Sequence, residues 1–100
     1  MLYYTQLIYL KPGMEADFLA FEDLVLPLLE KYGGRLLLRW RSAPGTVIES
    51  NCGDPYEVHL VSFASLSDFQ AYARDAVRQQ HLPLKERSVE KILLIEGKAL

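Results

Sequence analysis

Between Phe18 and Tyr32 apolar residues return at three- and four-residue steps: Phe18, Phe21, Leu24, Val25, Leu28, Leu29 and Tyr32. That is the spacing of one face of an α-helix. Glu15, Asp17, Glu22, Asp23, Glu30 and Lys31 fall mostly off this stripe. The early acids suit the positive end of the helix dipole and Lys31 its negative end. The pattern predicts a helix from about Met14 to Tyr32, stopped by Gly33 and Gly34, where a left-handed C-cap favours glycine. Pro27 lies inside it, frees the carbonyl of Asp23 and predicts a kink. Such a kink either wraps the helix over a twisted sheet or opens a pocket beneath it.

The stretches on either side alternate instead. Leu2 to Leu10 is rich in aromatic and β-branched residues and ends at the turn Lys11-Pro12-Gly13, so it reads as a strand. Tyr3, Thr5, Leu7 and Tyr9 share one of its faces; Leu2, Tyr4, Gln6, Ile8 and Leu10 share the other. Arg35 to Arg41 reads as a second strand, with Leu36, Leu38 and Trp40 on one side and Arg35, Leu37, Arg39 and Arg41 on the other. Ser42 to Pro55 is rich in turn residues, and Thr46 to Glu49 within it reads as an extension of strand two or a small edge strand. Tyr56 to Phe63 is a third strand, with Glu57, His59, Val61 and Phe63 on one face. Ser65 is an N-cap residue with Asp68 three positions on, and Leu66, Phe69, Tyr72, Ala73 and Ala76 give a second helix its apolar face. Pro83 is expected to end that helix, leaving Leu84 to Ser88 as a separate turn. Ile92 to Glu96, closed by Gly97, is the last strand.

The order is β-α-β-β-α-β, the split βαβ arrangement of ferredoxin-like folds. It predicts a single α+β domain over residues 1–100, with a four-stranded antiparallel sheet and both helices on one face. Strands one and four are apolar on both sides, so the remaining sheet face needs a cover. The simplest cover is a second copy of the chain, and a homodimer packed sheet against sheet is expected.

Charge and composition narrow the partners. Half of the 100 residues are apolar, enough for one core. Eleven Lys and Arg against 13 Asp and Glu leave a formal charge of −2, which argues against a nucleic-acid binder despite Arg35, Arg39 and Arg41 on one strand. The single Cys52 excludes an internal disulfide, suits a reducing compartment and reads as a semi-buried thiol. No twenty-residue apolar run is present and Met1 to Leu10 lacks the basic start of a signal peptide, so no membrane span and a cytoplasmic location are expected. Neither a phosphate-binding glycine loop nor a nucleophile elbow occurs. Metal-ligand spacing is absent too, since the two histidines, His59 and His81, stand far apart without clustered cysteines. No metal and no cofactor are expected.

Several short stretches together give the chain a family likeness: Pro12-Gly13, Phe18 and Phe21, Leu26-Pro27-Leu28-Leu29, Tyr32-Gly33-Gly34, Arg39-Trp40-Arg41, Phe63-Ala64-Ser65 with Phe69 and Tyr72, Asp75, and Ile95-Glu96-Gly97. With them the chain resembles the dimeric α/β-barrel superfamily, and within it a domain-of-unknown-function family of about this length. That superfamily also holds small cofactor-independent monooxygenases, muconolactone-isomerase-like proteins and haem-degrading enzymes. The resemblance spans nearly the whole chain, through packing, kink and cap positions, so it specifies fold more than chemistry. It implies a ligand cavity between sheet and helices in each protomer. Haem degradation in the superfamily uses an asparagine on strand one, where this chain has Thr5 and Gln6, and that activity is not carried over.

Tyr3, Trp40, Tyr72, Asp75 and His81 are the residues expected to contact a ligand in such a cavity. His59 is the candidate general base, with Glu57 two residues away on the same strand face to orient it. The plainer alternative is a strand histidine that bonds a neighbour or packs at an interface. Arg39 and Arg41 could clamp a carboxylate, or pair across the sheet with Glu57 or Glu49. Trp40 points away from the two arginines and is expected in the core or as a flat wall for an aromatic ligand. His81 could reach a cavity mouth or face solvent. Three functions stay open on these residues: a cofactor-independent oxygenase or isomerase for an apolar or aromatic metabolite, a non-catalytic ligand-binding domain, or a structural dimerisation module.

Overall fold

Strand β1 (Leu2–Leu10) is a central strand of the sheet, with its backbone hydrogen-bonded along both edges and its apolar inner face under the helix layer. The computed structural model describes all residues, Met1 to Leu100. In it β1 pairs antiparallel with β3 (Glu57–Phe63) on one edge and with β4 (Val89–Gly97) on the other, and β2 (Arg35–Arg41) adds to β3. The sheet order is β2-β3-β1-β4. Helix α1 (Glu15–Val25) and the segment after it connect β1 to β2; α2 (Leu66–Ala73) and α3 (Ala76–Ser88) connect β3 to β4. This is the expected ferredoxin-like α+β fold. Its shortest dimension is 17 Å between Cα extremes, the depth of one sheet and one helix layer.

Register fixes the faces. Tyr4 stands opposite Val61 and Glu96, Gln6 opposite His59 and Leu94, and Ile8 opposite Glu57 and Ile92. These rows point to the helices, and with Phe18, Phe21, Val25, Leu29 and Phe63 they supply most of the buried core. Tyr3, Thr5, Leu60, Leu93 and Ile95 lie on the opposite side. That side carries much of the exposed apolar surface: Leu38, Trp40, Leu93 and Ile95 are each about half exposed.

Several details depart from the sequence reading. Strand β2 carries a bulge: Leu36 pairs with Val61 and Leu38 with Leu60, leaving Leu37 as the extra residue. The extra residue swaps faces, so Leu36 joins Arg39 and Arg41 on the helix side while Leu38 and Trp40 turn outward. The kink expected at Pro27 is a change of helix type, since Leu26–Tyr32 is a 3₁₀ segment with the proline in its first turn. Its cap is Gly33, with φ of +71°, rather than Gly34. Pro83 does not end a helix; α3 runs through it from Ala76 to Ser88. Thr46 to Glu49 forms no strand, and β4 starts at Val89, earlier than expected. The Ser65 cap is as predicted, its hydroxyl accepting from the Asp68 N–H at 3.2 Å. The 42–55 segment folds back on the outer sheet face, where the exposed Cys52 places its Sγ 3.4 Å from the Tyr9 hydroxyl.

Candidate functional site

Helix α1 packs against α3 above the sheet, with Arg87 and Asp17 paired at 3.2 Å between them. Beneath this layer lies a cavity of about 290 Å³. Its walls are mostly apolar and aromatic: Tyr4, Phe18, Phe21, Val25, Leu29, Val61, Phe63, Phe69 and Tyr72. The rings fix one another, Tyr4 stacking on Phe69 with centroids 4.3 Å apart and Phe63 meeting Phe69 edge-on at 5.6 Å. Five polar side chains break this lining: Gln6, Glu22, His59, Arg78 and Lys85.

Along one wall runs a buried charged cluster. Glu57, with its side chain 2% exposed, accepts from Arg39 Nε at 3.0 Å, from Arg41 Nη2 at 3.0 Å and from His59 Nε2 at 2.5 Å. Burial alone would raise the Glu57 pKa; the hydrogen bonds from Arg39, His59 and Arg41 outweigh it and hold the group below the ordinary carboxylate value. Burial lowers the His59 pKa, against the pull of the adjacent Glu57 carboxylate. At neutral pH the ring is therefore uncharged and donates its Nε2–H to an ionised Glu57. On the other side of the ring, Glu22 Oε2 stands 3.8 Å from the same nitrogen. Glu22 has no guanidinium in ion-pair contact, and burial, followed by repulsion from Glu57, pushes its pKa up to about 7. The cluster thus holds one proton that comes and goes near neutrality, on Glu22 at the cavity wall.

Glu22, Glu57 and His59 bring one donor atom each within 4.8 Å of one another, close enough to consider a cation. Both oxygens of Glu57 are already engaged by Arg39, Arg41 and His59. A divalent ion would have to share that carboxylate with two positive guanidinium groups, so the donor set fits a proton-holding cluster better than a metal site.

Of the residues expected at a site, His59 and Tyr72 line the cavity. Arg39 and Arg41 lie just behind it as the partners of Glu57, Arg41 also stacking over the Tyr56 ring at 4.5 Å. The other four lie elsewhere. The β2 bulge turns Trp40 outward beside Val58, where it is 47% exposed rather than core or cavity wall. Tyr3 lies on the outer face, on a shallow depression with Thr5, Leu60 and Ile95. Asp75 is the N-cap of α3, bonded to the Val77 and Arg78 amides and to the Tyr32 hydroxyl. His81 is half-buried and absent from the cavity wall. Sequence reasoning missed Glu22, Arg78 and Lys85. For Glu22 the signal was present: it follows Phe18 by four residues and precedes Val25 by three, which places an acid within the buried stripe.

No family model matches the chain, and no curated protein matches it either. Solved structures do. A protein of unknown function from Rhodopseudomonas palustris superposes with a TM-score of 0.83 at 19% identity, over 99% of this chain and 82% of that one. A NIPSNAP family protein of unknown function from Agrobacterium tumefaciens gives 0.72 at 21% identity, over 99% and 87%. A dimeric protein of unknown function from Bacteroides fragilis, with a ferredoxin-like fold, gives 0.71 at 12% identity, over 98% and 95%. At such identities the likeness is one of fold. No helix is long and apolar enough to cross a membrane.

Proposed function

We propose that this chain binds a small, largely apolar or aromatic metabolite between helices and sheet and moves a proton on it, an isomerase-type reaction. The observation that carries the reading is Glu22: an acid with a pKa near 7 on the wall of an aromatic-lined cavity. A general acid–base group works best when its pKa lies near the operating pH. In its ionised form Glu22 takes a proton from a carbon made acidic by a neighbouring carbonyl, then returns it at another position. His59, with its Nε2–H committed to Glu57, stands 3.8 Å away and packs against the acid, while the ionised Glu57 behind it keeps the Glu22 proton affinity high. Between the oxygenase and isomerase options, the acid–base pair favours the second, because isomerisation needs a proton removed and replaced and nothing more. The cavity volume, about 290 Å³, is at the low end for ligand sites and suits a compact substrate.

The working form is a homodimer joined through the outer sheet face, which accounts for exposed Leu38, Trp40, Leu93 and Ile95 on the side of the sheet away from the helices. A net charge of −2 and the lone Cys52 fit a cytoplasmic protein without a nucleic-acid partner. The test of the chemistry is hydrogen exchange: small aromatic and aliphatic ketones incubated with the protein in D₂O near pH 7, with α-proton loss followed by NMR. The expected result is exchange in the wild type that falls by roughly 10²- to 10⁴-fold in Glu22→Gln. Ligands that bind but never exchange, or exchange untouched by Glu22→Gln, would refute the proton-transfer role.

A further inference from the structure

The cavity wall carries more positive charge than the rest of the cluster consumes. Arg78 and Lys85 are seven residues apart on α3, two turns, so their side chains leave the same face of the helix, and both line the cavity. Neither takes part in any ion pair of the fold. Glu57 is committed to Arg39 and Arg41, Asp75 to Lys31, and Asp17 to Arg87. Glu22 faces them from α1 but is half protonated at neutral pH.

Arg78 is built into its place. Its guanidinium carbon lies 5.2 Å from the Tyr72 ring centroid and 5.9 Å from that of Phe21, and Nη1 donates to the Ala73 carbonyl at 3.3 Å. Its Nε is buried with no hydrogen-bond partner, a buried N–H that folding alone leaves unsatisfied. Lys85 makes no hydrogen bond through its ammonium, and burial, then the Arg78 charge, lower its pKa against the weaker attraction of Glu22 and Glu86. Glu22 attracts both cations across the cavity but makes no ion-pair contact with either, so two positive groups share a half-dry aromatic pocket with less than one counter-charge, an arrangement an anionic ligand completes.

We infer that the metabolite handled by this cavity carries a carboxylate, received by Arg78 and Lys85 while its apolar or aromatic body lies among Phe18, Phe21 and Phe63. The inference rests on the cavity being a ligand site, as argued above, and adds the substrate class: small aryl or alkyl carboxylates. A carboxylate suits a cavity wall that carries both a guanidinium and an ammonium, and charge-assisted bonds of this kind are the stronger class.

Matched pairs separate the possibilities. Benzoate, phenylacetate and cinnamate are titrated against their primary amides by calorimetry at pH 7.5, with wild type, Arg78→Gln and Lys85→Met. The expected result is that at least one acid binds about tenfold or more tightly than its amide, and that this advantage shrinks in both variants while amide binding does not change. Lys85→Met removes no hydrogen bond of the fold, so it keeps the test open should Arg78→Gln fold poorly. Acid and amide bound equally would overturn the carboxylate and leave the cavity reading standing. An acid preference that survives both variants would place the anion elsewhere and overturn the inference too. Failure of every acid and amide to bind would overturn the cavity reading and this inference together.

Discussion

Glu22→Gln is the most informative single change, because one group dominates its effect and the direction depends on pH. Glu22 carries a pKa of about 7 in the fold against 4.5 for the free side chain. The native state therefore holds a proton that the unfolded state releases between those values. Stability from this group is fully present below pH 4.5, declines as pH rises, and is lost above about 7. At about 1.4 kcal/mol per pKa unit, the shift corresponds to roughly 3 kcal/mol at pH 8. Glutamine has the same shape and no charge to desolvate, so Glu22→Gln should match the wild type near pH 4.5 and exceed it by up to about 3 kcal/mol at pH 8.

His59 and Glu57 act in the opposite sense. Their lowered pKa values favour the fold at higher pH and withdraw support as pH falls below the ordinary values. The absolute curve of the wild type is thus blunted, and the difference between wild type and variant isolates Glu22. Urea denaturation at pH 4.5, 6 and 8 measures it, and thermal melts should separate by roughly 10 °C or more at pH 8. A gap of the same size at all three pH values would refute the reasoning, since a shape or packing effect does not titrate.

Two further changes test the frame around the site. Gly34 is the tighter of the two glycines after the 3₁₀ segment: a Cβ there would stand 2.6 Å from Phe63 Cε1 and 3.0 Å from the Leu29 carbonyl oxygen. Gly34→Ala should cost about 1–3 kcal/mol by overpacking, and Gly33→Ala about 1 kcal/mol through the left-handed backbone alone; chemical denaturation that ranks Gly33 as the costlier site would show that Phe63 yields easily. Ile95→Glu places a charge on the outer sheet face, where Ile95 is 58% exposed, and should convert dimer to monomer in light scattering with circular dichroism unchanged; a dimer of unchanged mass would remove Ile95 from the interface.

The order of elements was legible because each rests on a local pattern. The apolar stripe of α1, the alternation in β1 and the Ser65 cap speak through neighbours in sequence, and the split βαβ order then leaves little choice of sheet. What escaped local reading was set by the sheet. Nothing in Arg35-Leu36-Leu37-Leu38-Arg39 announces a bulge, because three leucines in a row satisfy either face. Its position is decided by pairing with Leu60 and Val61, more than twenty residues on. That one extra residue moves Trp40 outward, and with it an expected cavity wall. Pro83 misled for a related reason: α3 is anchored at its start by the Asp75 cap and at its end by the Ser88 hydroxyl, which donates to the Leu84 carbonyl at 2.6 Å. With both ends held, the helix tolerates the missing N–H.

The site was half legible for an electrostatic reason. His59 and Glu57 announced themselves by sharing a strand face, and the cross-strand partners Arg39 and Arg41 followed from register. That pairing leaves Glu57 over-served by cations and Glu22 with none in contact. The asymmetry is what separates their behaviour: two carboxylates flank one imidazole, and the arginines hold the proton off Glu57 while Glu22 keeps it. It follows that the arginines act on the chemistry from behind, through Glu57 and, for Arg39, also directly on the Glu22 charge. Arg39→Met would leave Glu57 with Arg41 and His59 and raise the proton affinity of both acids, because the Arg39 charge also lowers the Glu22 pKa directly. The pH profile of ketone exchange should then move to higher pH while ligand affinity stays unchanged; an unaltered profile with lower affinity would mean that Arg39 meets the ligand itself.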